Sequence, residues 1–254
     1  MRSAATAVAF LALATACRTL APAHPLPPDD PRPASLLMRW FEEAEQRRAL
    51  RGVARLAIDA DAVVPLRGRI VMVLERPARL RLEILGLFGQ ALAVLVTDGD
   101  RFQFFRADDR SIDSGRVHPG LLWNLAYLPL TPEEAVGLLL GLPTPDPALG
   151  PVGARLAPDG EVQIDLADPT GTVVQRVAFD AEARLRWIEV RDTRGRPLWR
   201  AHFDEYERVD ELPFAHRISF HSVDGDSRAV ISFRDVELNP ELPAGIFALR
   251  PGGG

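Results

Sequence analysis

Across most of its length this sequence alternates apolar with polar residues at a period of two. Leu66, Gly68, Ile70, Met72 and Leu74 alternate with Arg67, Arg69, Val71 and Val73, and Leu80, Leu82 and Ile84 alternate with Arg79, Arg81 and Glu83. Side chains of a strand point to opposite faces in turn, so this pattern builds strands with one face buried and one wet. Two further apolar runs, 91–96 and 102–105, are joined by Asp98-Gly99-Asp100, a hairpin signal. Strand patterns return at 162–167, 172–180, 184–192, 197–207, 214–223 and 228–238, with Gly171, Gly195 and Gly225 in or beside the turns. The terminal LPAGIFALRPGGG reads as a last short strand with a loose tail. The expected class is mainly β with a few helices: a large antiparallel sheet of roughly ten or eleven strands. A sheet that size curls.

Helical signals occur at two places. In SLLMRWFEEAEQRRAL, Leu37, Trp40, Phe41 and Ala44 fall at i, i+3, i+4 and i+7, with Glu42, Glu43, Arg47 and Arg48 turned away and Ser35 as N-cap. In the middle of the chain, Gly120 to Leu128 carries Leu121, Leu122, Trp123 and Leu125. Thr131-Pro132-Glu133-Glu134 is then a capping box with proline at N1, and Gly141 and Pro143 close that helix. Residues 142–152 read as a loop. The middle helices are expected to cover the concave side of the sheet, with Leu121, Trp123, Leu125 and Leu139 lining an apolar cavity. The alternative is a filled core.

The N-terminus reads MRSAATAVAFLALATAC. Arg2 is followed by an apolar stretch too short to span a bilayer, and then by small residues ending at Cys17. Ala14-Thr15-Ala16-Cys17 resembles a bacterial lipobox, in which the cysteine sulfur is acylated and the chain is cut before it. The expected division is a signal peptide at 1–16, an acylated Cys17 with a proline-rich tether over 17–34, and one folded domain over 35–250. Arg18 rather than aspartate after the cysteine favours the outer membrane, lipid-anchored and facing the periplasm. With one cysteine no intrachain disulfide forms.

Recognisable chemistry is sparse. All 30 basic residues are arginine and the net charge is −5, which does not suit coating nucleic acid. The five histidines His24, His118, His202, His216 and His221 show no metal-ligand spacing, and His216 and His221 fall on opposite faces of one strand. There is no GxSxG, no P-loop and no GxGxxG. The carboxylates Asp98, Asp100, Asp108 and Asp109 sit in turns, and Glu83, Asp165 and Glu189 on polar strand faces, all read as solvated. The arginines 67, 69, 79 and 81 read as the wet face of the sheet. No catalytic residue, metal or cofactor is expected, and the chain is read as a non-enzyme and a monomer. One place breaks the pattern. The turn after Ile84 reads Leu85-Gly86-Leu87-Phe88-Gly89-Gln90, where a hairpin turn should be polar. An apolar tip that touches lipid or a greasy partner fits it, and so does a loop folded back onto the core.

The order of these parts resembles the LolB family of outer-membrane lipoproteins. The resemblance rests on the lipobox and tether, RLRLEILGLFGQALAVLVTDGD, TPEEAVGLLLGLPT and LPFAHRISFHSVDGDSRAVISF, over about residues 36 to 238. It implies an unclosed antiparallel β-barrel with helices as a lid over an apolar cavity, and an activity of accepting lipoproteins from a soluble LolA-like carrier and placing them in the outer membrane. The family's protruding-loop leucine falls on Phe88 here, and the segment from Asn239 onward is an addition. An envelope sensor or structural interaction protein on the same fold is the alternative, and a periplasmic hydrolase the third reading.

Overall fold

The computed structural model describes residues 23–60, 65–223 and 227–249. A two-residue strand, β1 (His24–Pro25), precedes helix α1 (Arg32–Glu45). Six strands follow as a meander: β2 (Ala49–Asp59), β3 (Leu66–Glu75), β4 (Arg79–Leu85), β5 (Ala91–Thr97), β6 (Arg101–Arg106) and β7 (Ile112–Arg116). Helices α2 (Leu121–Ala126) and α3 (Pro132–Leu139) come next. Seven more strands complete the chain: β8 (Gly150–Leu156), β9 (Val162–Ala167), β10 (Val173–Phe179), β11 (Leu185–Arg191), β12 (Pro197–Val209), β13 (Leu212–Ser222) and β14 (Arg228–Leu238). Among the described residues these form one antiparallel sheet in the order β1-β8-β9-β10-β11-β12-β13-β14-β2-β3-β4-β5-β6-β7. The last strand pairs with β2, which joins the two halves, while β1 and β7 remain free edges. The sheet is therefore not closed.

The alternation assigns the faces. Leu50, Ala54, Leu56, Ile70, Met72, Leu74 and Leu80 turn inward and are buried, with Phe203, Phe214, Ile218 and Phe220 from the second half. Trp40 and Ala44 of α1 and the apolar face of α3 join the same core. The capping box forms as spelled: Thr131 Oγ1 accepts from the Glu134 N–H at 3.1 Å, and the Glu134 carboxylate accepts from the Thr131 N–H at 2.7 Å.

Several expectations need correction. Helix α1 starts at Arg32, three residues before Ser35, and its N-cap is Pro31, so the helix begins within the expected tether. Proline is tolerated in a first turn because the N–H it lacks has no helical partner there. Ser35 is not the cap; its hydroxyl donates to the Pro31 carbonyl at 3.0 Å. His24 and Pro25 also pair with Leu156 and Arg155, so the sheet reaches back into residues 17–34. Residues 150–156, split between loop and unassigned chain, form β8; a strand so near an edge tolerates Pro151 and Gly153. Among the described residues, 242–249 make no strand. Instead Phe247 packs, 7% exposed, under the Arg79 guanidinium, and Arg81 donates to the carbonyls of Ile246 and Ala248. This strap crosses the outer face of the meander, where Val73, Val94 and Val96 are buried. The turn reading at Gly225 lies outside the described residues.

Two charged residues assigned to the surface are buried. Arg47 does not face away from α1; it is 1% exposed and donates to the carbonyls of Leu140 and Pro213. Burial pushes its guanidinium pKa down, against the charges of Tyr206 and Glu43. Arg76 donates to the carbonyls of Arg47 and Leu142, so two arginines tie the exit of α3, where Gly141 turns with φ +73. Glu189 is also buried rather than solvated. It accepts from Arg191 Nε at 2.7 Å and Arg200 Nε at 3.1 Å. Burial raises its pKa, but the hydrogen bonds from Arg200 and Arg191 outweigh that and hold it below the usual carboxylate range. A depressed pKa contributes stability above the unfolded-state pKa that is lost as pH falls through the folded-state value. Glu189→Gln should therefore cost about 1–3 kcal/mol at neutral pH, and its deficit against the parent should shrink as urea melts are repeated down through the carboxylate range.

Candidate functional site

Between the concave face and the middle helices lies an apolar cavity of about 290 Å³. Its walls come from alternate residues of neighbouring strands, among them Ile70, Leu82, Ile84, Leu95 and Phe104. The roof comes from the helices. Fixing the start of α3 by its capping box sets Ala135, Leu138 and Leu139 at i, i+3 and i+4, all facing the cavity. The short α2 ends on Tyr127, which takes a left-handed φ of 55°. The Tyr127 carbonyl accepts from Ser227 Oγ at 2.7 Å, pinning this exit to the start of β14, and Leu128 and Leu130 then complete the roof.

The lining is apolar throughout except for the phenol of Tyr127. Nucleophilic catalysis needs a nucleophile and a base within hydrogen-bond reach of each other, and the wall holds no such pair. Among the described residues no group of three His, Cys, Asp or Glu side chains could hold a metal. An apolar cavity of about 150 Å³ stays dry and takes a benzene ring. By that measure this one has room for about a dozen carbons, one acyl chain of middling length.

Of the four expected lining residues, the structure brings Leu125 and Leu139 to the cavity and not the other two. Leu121 is buried in the core, and Trp123 is 42% exposed with its ring edge-on to Tyr127 at 5.7 Å. Leu122 takes the place expected of them. The strand contributions were not singled out from sequence, although their signal, the inward half of each alternation, was present.

The hairpin between β4 and β5 lies at the rim of this cavity. Ile84 and Ala93 are cross-strand partners, line the cavity, and flank the loop. Leu85 is half-buried at the loop's base, while Leu87 and Phe88 are 99% and 93% exposed. The loop does not fold back onto the core. It is braced: the Gly86 N–H donates to the Gln90 carbonyl at 2.8 Å, and the Phe88 N–H to the Gln90 side chain at 3.2 Å. Gly89 closes the turn at φ +83, a backbone that other residues rarely adopt. Cys17 and the leader lie outside the described residues.

The polar clusters lie elsewhere. His202 and His221 stack at 6.1 Å on the outer face, both pKa values lowered first by burial and then by the charge of Arg200. His216 packs edge-on to Phe214. Asp165 is held by Arg155 and Arg176 at 2.8 and 2.7 Å.

No protein-family model matches the sequence, and no curated protein matches it. Solved structures do share the fold. A LolA superfamily protein of Nitrosomonas europaea superposes with a TM-score of 0.57 at 13% identity, over 84% of this chain and 97% of its own. A DUF1329 family protein of Desulfovibrio piger gives 0.59 at 11%, over 86% and 98%. A domain of Vibrio parahaemolyticus named for outer-membrane lipoprotein sorting gives 0.52 at 11%, over 84% and 94%. The fold is LolA-like: a large antiparallel sheet, not closed into a barrel, curled around helices.

Proposed function

We propose that this protein is a non-catalytic lipid carrier of the bacterial envelope, anchored through an acylated Cys17, that takes acyl chains into its cavity and passes them to the outer membrane. The observation that carries the reading is the wall, apolar but for Tyr127, beneath a braced, exposed Leu87–Phe88 tip. The LolA superfamily and lipoprotein-sorting neighbours support it by fold. Moving an acyl chain through water costs about 0.8 kcal/mol per methylene. A cavity lined with Leu, Ile and Phe resembles the bilayer interior as a solvent, so transfer between the two is nearly balanced and needs no nucleotide. Lipoproteins delivered by a soluble LolA-like carrier are the cargo that the LolB-like resemblance favours. No helix among the described residues is long and apolar enough to cross a membrane.

The test is binding of a fluorescent medium-chain fatty acid. The parent should bind it with saturation. Ala93→Phe places a ring at the half-exposed rim of the cavity and should weaken binding by at least about tenfold, since a ring of benzene size takes up about half of the space. Its melting temperature should barely move. A parent that binds no acyl probe ends the carrier reading.

A further inference from the structure

The outer face of the sheet behind the tip carries a second feature. Arg55 and Arg69 are direct cross-strand partners on β2 and β3, and both are exposed. Like charges directly opposite one another destabilise a sheet. On either side of them in the same row stand Ser232 and then Arg217 towards one edge, and Leu85, the base of the tip, towards the other. Three arginines near this row are neutralised: Arg67 by Asp59 at 2.8 Å, Arg81 by Glu83 at 2.5 Å, Arg51 by Glu237 at 3.1 Å. Among the described residues Arg55, Arg69 and Arg217 make no ion pair, and Arg217 reaches only Ser232 Oγ at 3.5 Å. Asp204, opposite Arg217, is held by Arg186 at 2.8 Å. The exposed Asp235 lies diagonal to Arg55, with the exposed Arg234 beside it at the bulge.

An unpaired, self-repelling arginine row is unexpected in a chain with a net charge of −5, beside the matched Arg51, Arg67 and Arg81; the exposed cross-strand pair Arg101 and Arg116 stands apart from it, on β6 and the edge strand β7. Its position supplies the reason. A Cβ on Gly89 would lie 3.6 Å from an Arg69 guanidinium nitrogen, so that cation runs alongside the apolar loop. Exposed apolar side chains with bare guanidinium groups behind them match the layering of a bilayer surface, with hydrocarbon below and anionic phosphate above.

We propose that Arg55, Arg69 and Arg217 form a binding face for anionic phospholipid headgroups that holds the Leu87–Phe88 tip against a negatively charged bilayer surface. This rests on the membrane reading of the tip. It adds that the target surface is selected by charge. Each arginine near such a surface strengthens binding about fivefold, so removing two should cost about thirtyfold.

The experiment is co-sedimentation of the full chain carrying Cys17→Ser with vesicles of phosphatidylcholine, alone or with a third phosphatidylglycerol. Every protein compared carries the same N-terminal residues, so their contribution cancels when the variant's preference is set against the parent's. The expected result is a strong preference for the anionic vesicles that weakens with added salt. Arg55→Gln/Arg69→Gln should abolish most of that preference while keeping the residual binding to phosphatidylcholine, the affinity for the acyl probe, and a melting temperature equal to or above the parent's. Equal binding of both vesicles by the parent, as an acidic protein partner for this face would give, overturns the proposal and leaves the membrane reading of the tip intact. An unchanged preference in the double variant overturns it too. Binding to neither vesicle overturns both.

Discussion

Phe88→Glu should weaken association with membranes by one to two orders of magnitude while leaving the melting temperature within about a degree of the parent's. Burying a phenylalanine side chain is worth about 1.5–3 kcal/mol, which converts to roughly tenfold to a hundredfold in a partition coefficient. A carboxylate at the same place must also be dehydrated or kept out of the bilayer, so the upper part of that range is expected. The stability half follows from exposure. Phe88 is 93% exposed, its loop is braced by Gln90 rather than by the ring, and surface substitutions away from special features stay within about 0.5 kcal/mol. Liposome flotation and a thermal melt measure the two quantities. A fall of many degrees would mean that the ring packs inside in solution. An unchanged partition would mean that the tip meets something other than lipid. Acyl binding in the cavity should survive, because Phe88 is not part of its wall.

How far the sequence carried depended on how local each signal was. Thr131, Pro132 and Glu134 act within four residues, and the capping box and helix start came out as spelled. The alternation in 66–74 and 80–84 needs only the pleat of a strand, and β3 and β4 followed it. The exposed tip was legible because apolar residues between two glycines conflict with every rule for a solvated turn. Long-range information was not legible. Nothing in IDSGR or GPVGARL alternates, and β7 and β8 exist because a neighbouring strand offers its free edge. Arg47 lies in a run of charged residues, and only the carbonyls of Leu140 and Pro213, 93 and 166 residues away, make its burial tolerable. The cavity was half legible for a related reason. Leu139 lines it and Leu140 fills the core, yet both are leucines in one apolar run. In the six-residue α2 there are too few turns to fix a phase, so Leu122 and Trp123 could be exchanged without violating any pattern.

Trp40→Ala should be the most damaging single change outside the sheet, lowering stability by about 4–6 kcal/mol. Tryptophan-to-alanine in a core costs about 3–5 kcal/mol in lost burial and cavity formation. Trp40 is 2% exposed and packs edge-on to Phe179 of β10 at 5.9 Å. Its indole N–H also donates to the Pro143 carbonyl at 2.9 Å, 103 residues away, and leaving that carbonyl without its donor adds about 1 kcal/mol. The residue therefore ties α1 to the sheet on one side and to the exit of α3 on the other. For a domain of this size each kcal/mol corresponds to about 2–4 °C, so the melting temperature should fall by about 8–24 °C. Trp40→Phe separates the two contributions. It keeps most of the ring against Phe179 and loses the donor, so a deficit of about 1–2 kcal/mol is expected. Neither change touches the cavity wall, to which α1 contributes no residue. Well below the transition both variants should bind the acyl probe as the parent does. If Trp40→Ala abolished probe binding while still folded, the exit of α3 would have to be part of the gate, and the cavity roof would be tuned through α1 rather than held by the α3 capping box.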